Sequence, residues 1–155
     1  MNSKALIEKF YTAFANGNSA VMVTCYHKEI LFKDPAFGAL KGERACKMWE
    51  MLLAKKDTNT KIHFTIIETN EEKGKIHWVA EYRYGPKKRK VVNQVASVVV
   101  FKEGKIIEHT DTFDLWKWTQ QALGLPGYLL GWTSYMKNKI QKMTNKRLDD
   151  FISKI

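Results

Sequence analysis

Lys61-Ile-His-Phe-Thr-Ile-Ile-Glu-Thr-Asn-Glu-Glu-Lys-Gly-Lys-Ile-His-Trp-Val-Ala-Glu-Tyr-Arg-Tyr84 alternates twice over. In its first half Ile62, Phe64, Ile66 and Glu68 fall on one side, with His63, Thr65, Ile67 and Thr69 on the other. A period of two is the pattern of a strand with one face covered. Residues 70–74 supply a turn. The second half then sets Ile76, Trp78, Ala80, Tyr82 and Tyr84 against Lys75, His77, Val79, Glu81 and Arg83, so one face of the hairpin is apolar and aromatic.

Downstream, Val91 to Phe101 is long and β-branched, Lys102-Glu-Gly-Lys105 is a tight turn, and Ile106 to Leu115 returns as a last strand. These four strands form a meander. Upstream the period is helical. Ser3 is placed to cap a helix carrying Leu6, Ile7, Phe10 and Phe14, which Asn16-Gly17 ends. A short second helix holds Val21, Met22 and Cys25. A short strand, Glu29 to Asp34, stops at Pro35, and a third helix over 42–53 gathers Ala45, Met48, Trp49, Leu52 and Leu53 on one stripe. Helices followed by an antiparallel sheet make an α+β fold, a cone-shaped curved sheet packed on three N-terminal helices around a cavity. Residues 1–122 are assigned to this domain and 123–155 to a basic amphipathic helical extension of it.

The 155 residues are 45% hydrophobic and carry a net charge of +10. Such a chain can bury a core without disulfide or metal staples. Cys25 and Cys46 are too isolated for a disulfide framework and read as small core residues. Eight of the ten net charges sit in two places, Lys87-Lys-Arg-Lys90 at a hairpin tip and the stretch 137–155. A charge run on a hairpin tip reads as a solvated edge, and no aromatics interleave with it, so nucleic acid is not an expected partner. No apolar run reaches the roughly 20 residues of a membrane span. Residues 1–9 lack an export signal, which points to the cytoplasm. No cofactor is implied and no metal is expected, because no ligand-spaced His, Cys and carboxylate cluster is visible.

Asp34 ends a strand between Phe32 and Phe37. Apolar surroundings would raise its pKa and suit it to shuttle a proton; alternatively it accepts a turn hydrogen bond ahead of Gly38. On the last strand His109 and Asp111 share a face and can meet, whereas Asp114 lies on the other face and is also a good N-cap for a helix over 115–122. The cavity wall is drawn from Phe10, Tyr11 and Phe14 on the first helix, Trp49 on the third, Trp78 and Tyr82, Asn93 and Ser97 on the long strands, and Trp116 beyond the last. Asn93 is the polar residue best placed to grip a ligand carbonyl.

The order Phe10-Tyr-Thr-Ala-Phe-Ala-Asn-Gly17, Phe32-Lys-Asp-Pro35, Gly104-Lys-Ile-Ile-Glu-His-Thr-Asp-Thr-Phe-Asp114 and Leu123-Gly124 resembles the SnoaL-like and ketosteroid-isomerase-like branch of the nuclear transport factor 2-like superfamily. The resemblance covers residues 3–124. It implies the cone-shaped fold, a homodimer through the outer sheet face, and a general base at Asp34. It also favours Asp114 as a cyclase-type acid/base, with Asp111 an alternative. In the isomerases a phenol and a protonated Asp hold the developing enolate; those positions fall here on Phe10 and Ser97, and Phe10 cannot donate. Tyr11 lies about 100° further around the helix and is not expected to replace it.

The expected function is therefore a cofactor-independent isomerase or cyclase moving a proton in a carbonyl-bearing apolar small molecule. The alternative is a non-catalytic small-molecule-binding or protein-interaction module of the same fold. Met136, Ile140, Met143, Phe151 and Ile155 recur at helical spacing among lysines, so the tail forms an amphipathic helix. It has three outlets: packing on its own domain or a partner subunit, lidding the cavity, or, least favoured, lying on anionic lipid.

Overall fold

The computed structural model describes residues 2–54 and 60–154. The chain runs α1 (Ser3–Ala15), α2 (Ser19–Thr24), β1 (Tyr26–Asp34), β2 (Gly38–Lys41), α3 (Glu43–Ala54), β3 (Lys61–Thr69), β4 (Lys73–Tyr84), β5 (Arg89–Lys102), β6 (Lys105–Thr112), α4 (Leu115–Leu123), α5 (Leu125–Leu130) and α6 (Ser134–Ser153). The fold is α+β, with one six-stranded curled sheet ordered β2-β1-β6-β5-β4-β3. Pairing is antiparallel except where β1 lies parallel to β6.

The inward faces are those that the alternation marks. Ile62, Ile76, Trp78, Ala80, Val95, Ser97 and Val99 are buried, and α1 turns Leu6, Ile7, Phe10, Tyr11 and Phe14 onto them. Gly74 belongs to β4 rather than to the turn, pairing with Thr69 and Val99. A Cβ there would stand 2.6 Å from Ile7 Cδ1, so the missing side chain lets α1 press on the sheet. Asn70 makes the turn instead, its side chain accepting from the Glu72 and Lys73 N–H groups at 2.8 and 2.9 Å.

Several local expectations are corrected. Asn2, not Ser3, caps α1, accepting the Ala5 N–H at 2.7 Å. β1 begins three residues before Glu29, because Tyr26 and His27 already pair and pack, and β2 is an additional strand folded back on it. Leu52 is half exposed because it borders the cavity described below rather than the core.

α6 packs on its own domain. Leu148 is fully buried in the main core, Ile152 leans on it, and Arg44 of α3 pairs with Asp149 at 2.6 Å. Met136 and Ile140 close a second cluster with Val91, Trp118 and Ala122. Ile155, the last residue of the apolar spacing, lies outside the described residues, as does Met1. Because Leu148 fills the core, Leu148→Ala is expected to cost about 2–5 kcal/mol in one cooperative transition. Denaturant titration checks this; a loss below about 0.5 kcal/mol would mean that α6 is peripheral.

Candidate active site

Asp34 is the last residue of β1, and its inward direction follows from that of Phe32 two residues before. Pro35 cannot continue the ladder, so the chain turns back into β2, and the Asp34 side chain fastens the turn. Its Oδ1 accepts the N–H groups of Ala36 and Phe37 at 2.9 and 2.6 Å. Its Oδ2 has no hydrogen-bond partner among the described residues, and the residue lines the cavity. The two readings of Asp34 are thus compatible: one oxygen makes the turn, and the other is left for a ligand.

α6 holds the same turn from outside. Gln141, Thr144 and Asn145, at helical spacing on one face, donate to the successive carbonyls of Pro35, Ala36 and Phe37 at 3.1, 2.7 and 2.9 Å. Three buried or half-buried backbone acceptors are thereby satisfied by a segment more than a hundred residues away in sequence.

The cavity has a volume of about 380 Å³ and is walled chiefly by Phe14, Phe32, Trp49, Trp78, Phe113 and Trp118. In that setting burial outweighs the two backbone hydrogen bonds and pushes the Asp34 pKa from an ordinary 3.8 up to about 7; the nearby Asp111 carboxylate adds to the rise.

Asp111 reaches the same cavity from β6, and it too has one oxygen anchored. Its Oδ1 accepts from Ser97 Oγ and from His109 Nε2, the latter at 2.8 Å. Trp78 Nε1 in turn donates to Ser97 Oγ at 2.8 Å. Behind His109, Tyr26 meets Nδ1 at 2.7 Å, and Trp49 Nε1 donates to the Tyr26 oxygen at 2.9 Å. Asp111 Oδ1, a carboxylate oxygen, can only accept from Nε2, and Nδ1 then accepts the Tyr26 phenol proton. The hydrogen-bond chain therefore assigns the imidazole proton to Nε2, aimed at Asp111. Burial raises the pKa of Tyr26 and of Tyr11 well above the ordinary phenol value and keeps both protonated. Phe10, Phe32 and Trp49 surround the imidazole, with ring centroids 5.2–6.2 Å from it.

Further polar side chains line the hollow, among them Arg83, Thr144 and Arg147 as well as Tyr82 and Asn93. The Tyr82 oxygen accepts from Trp118 Nε1 at 2.7 Å, which leaves its hydroxyl proton for a ligand, and burial pushes its pKa up to about 12. Asn93 lines the cavity with a side-chain amide that bonds to nothing among the described residues. Among those residues no three His, Cys, Asp or Glu side chains cluster as a metal site.

The profile of the SnoaL-like domain matches residues 7–109, two-thirds of the chain. The chain belongs to the SnoaL-like domain family. Solved structures share the fold at identities too low to carry function. A nuclear transport factor 2-like protein of unknown function from Burkholderia pseudomallei aligns with a TM-score of 0.67 at 13% identity, over 78% of this chain and 97% of that one. A provisionally assigned polyketide cyclase from Pseudomonas putida gives 0.66 at 12%, over 79% and 98%. A LEH-like epoxide hydrolase from M. tuberculosis gives 0.58 at 18%, over 81% and 92%. No curated protein shows significant similarity.

In this SnoaL-like chain Asp34, Asp111, Phe14, Trp49, Trp78, Tyr82 and Asn93 line the cavity. Phe10, Tyr11, Ser97 and His109 do not; they lie behind its wall, the last three in the network that holds Asp111. Tyr11, expected as a wall residue, is set behind the wall instead, and so does not replace the phenol missing at Phe10. α1 is clasped closely enough that Phe10 and Tyr11 are both buried, and the Tyr11 hydroxyl comes within 3.4 Å of His109 Nε2. Asp114 and Trp116 are placed outside. Asp114 is exposed and caps α4, accepting the Lys117 N–H at 3.0 Å, and Trp116 projects from α4 into solvent. Sequence reasoning missed Tyr26 as the imidazole's partner and the α6 trio; only the polar residues at i, i+3 and i+4 in an otherwise lysine-rich helix hint at the latter.

A carboxyl whose folded pKa is raised binds its proton between pH 4 and 7 only in the folded state, so folding loses stability as pH rises through that window. Asp34→Asn keeps an Oδ1 acceptor for the turn and removes the charge. It is expected to be more stable than the parent above pH 7, by about 1–4 kcal/mol, with the advantage fading toward pH 4. Denaturation midpoints across this range measure it; a pH-independent difference contradicts the assignment.

Proposed function

We propose that this protein is a cofactor-independent isomerase or cyclase that moves a proton next to a carbonyl of an apolar small molecule. The observation that carries the reading is the pair of carboxylates on one aromatic wall, each with one oxygen anchored and the other without a protein partner among the described residues. Near neutral pH, Asp34 is poised between its two protonation states, the condition in which a general base is both available and strong.

In the step envisaged, Asp34 Oδ2 takes a proton from the carbon beside the carbonyl. The C–H electron pair moves into the carbonyl oxygen, which becomes an enolate. The Tyr82 hydroxyl and the Asn93 amide are donors on the same wall for that oxygen, standing in for the missing phenol at Phe10. Asp34 then returns the proton to a different carbon, completing an isomerisation. Alternatively the enolate carbon attacks a second carbonyl of the same molecule and Asp34 protonates the resulting alkoxide, which is a cyclisation. Asp111, held by Ser97 and His109, lies near enough to raise the Asp34 pKa and so strengthen it as a base. Neither course needs an oxidant or a reductant. The cyclase and isomerase names among structural neighbours agree with this chemistry class.

The test is exchange of α-protons of enolisable aromatic ketones, tetralone among them, for deuterium in D2O, followed by NMR. Wild type is expected to catalyse exchange, Asp34→Asn to lose about 10²–10⁴-fold, and Tyr82→Phe about 10²–10³-fold. Equal exchange by wild type and Asp34→Asn removes Asp34 from the mechanism. Ketone binding seen by tryptophan fluorescence, without exchange, makes the protein a non-catalytic binder.

A further inference from the structure

α5 is built inside out. Its only buried residue is Gly127, packed on the Thr119 carbonyl of α4 so closely that a Cβ would overlap it, and Gly131 sits against the Thr119 side chain in the same way. Backbone lies on backbone, and the large side chains have no interior to enter. Leu125, Tyr128, Leu129, Leu130, Trp132 and Tyr135 are between 44% and 70% exposed. Two of the exposed aromatics are tied to α5: Trp132 Nε1 donates to the Leu129 carbonyl, and the exposed Trp116 of α4 donates to that of Tyr128. A soluble domain does not ordinarily bury glycine and expose leucine and tryptophan along one segment. α5 and α6 also lie beyond residues 7–109, the stretch that the family profile matches.

Charge decides between occupants. Tyr128 is shared with an open cleft of about 570 Å³ whose other walls are Arg83, Lys88, Arg89, Lys90 and Lys117 together with Gln120 and Gln121, with no acidic side chain among its lining residues. The cleft offers no acidic side chain to a second copy of a chain that already carries a net charge of +10, whereas it complements an anionic surface. An anionic lipid surface meets both halves of the patch. Leucines enter the acyl boundary, tryptophan and tyrosine settle at headgroup depth, and the cations meet phosphate and carboxylate headgroups. We propose that α5, its flanking Trp132 and Tyr135, and the adjoining cationic cleft dock the protein peripherally on an anionic membrane. No helix among the described residues is long and apolar enough to cross one. Arg83 lines both the cleft and the cavity, so a docked molecule would hold the cavity mouth beside the lipid, where apolar ligands partition. The docking itself is independent of any catalytic role.

The experiment is cosedimentation of the full chain with vesicles of phosphatidylcholine alone and of equimolar phosphatidylcholine and phosphatidylserine, at low and at physiological salt. Wild type is expected to bind the mixed vesicles at least tenfold more tightly than the neutral ones, with a blue shift of tryptophan emission. The double variant Lys88→Glu, Lys90→Glu should lose more than tenfold, since each basic residue at such a surface contributes roughly fivefold. Leu129→Ser with Trp132→Ala should lose binding by a similar factor, and both variants, altered only at exposed positions, should keep the parent's circular dichroism and melting temperature. Absence of binding to mixed vesicles at low salt overturns the proposal, as does binding indifferent to the Leu129 and Trp132 changes. So does sedimentation equilibrium showing that wild type self-associates through this face and that the Leu129→Ser, Trp132→Ala variant is monomeric.

Discussion

Taking a carboxylate out of water costs several kcal/mol unless hydrogen bonds or a proton compensate, and that cost organises this molecule around Asp34. Two backbone N–H groups compensate in part. What remains is expressed as a pKa of about 7. The turn supplying those N–H groups lies between a proline and a short returning strand, and α6 fixes it by taking up three consecutive carbonyls. The extension that looked like an appendage is therefore part of the site's frame.

Asp111 shows the other way to keep an acid in an apolar wall. Ser97, His109, Tyr26, Trp49 and Trp78 pass hydrogen bonds inward through the aromatic core until both imidazole nitrogens and the carboxylate's Oδ1 are accounted for. Such a network is rigid because each member fixes the orientation of the next. One carboxylate is thus pinned by side chains and the other by backbone, on adjacent parallel strands whose register sets Phe32 beside His109 and Lys33 beside Thr110.

Much of this was legible from residues alone. The alternation in β3 to β5 marked the buried side that carries Trp78 and Ser97, because sheet geometry leaves a side chain only two directions; in β6 it separated His109 and Asp111 from Asp114 without saying which face turns inward, and the resemblance favoured Asp114. Four residues of β2 carry too little alternation to register, and the parallel pairing of β1 with β6 joins segments some eighty residues apart, which no local pattern records. Tyr11 illustrates a different limit. A helical wheel assigns it an angle, but a wide buried face admits neighbours 100° apart when strands curl around the helix. Asp114 illustrates a third: capping and acid/base chemistry ask for the same residue type, and only its orientation at the start of α4 separates them.

The account turns on the protonation of one side chain. Labelling the aspartates with 13C and following the Asp34 carboxyl carbon by NMR between pH 3 and pH 9, assigned by its loss in Asp34→Asn, measures that directly. A midpoint near 7 is predicted; a midpoint near the ordinary 3.8 would mean that the carboxylate is solvated and that the proton-transfer site does not exist.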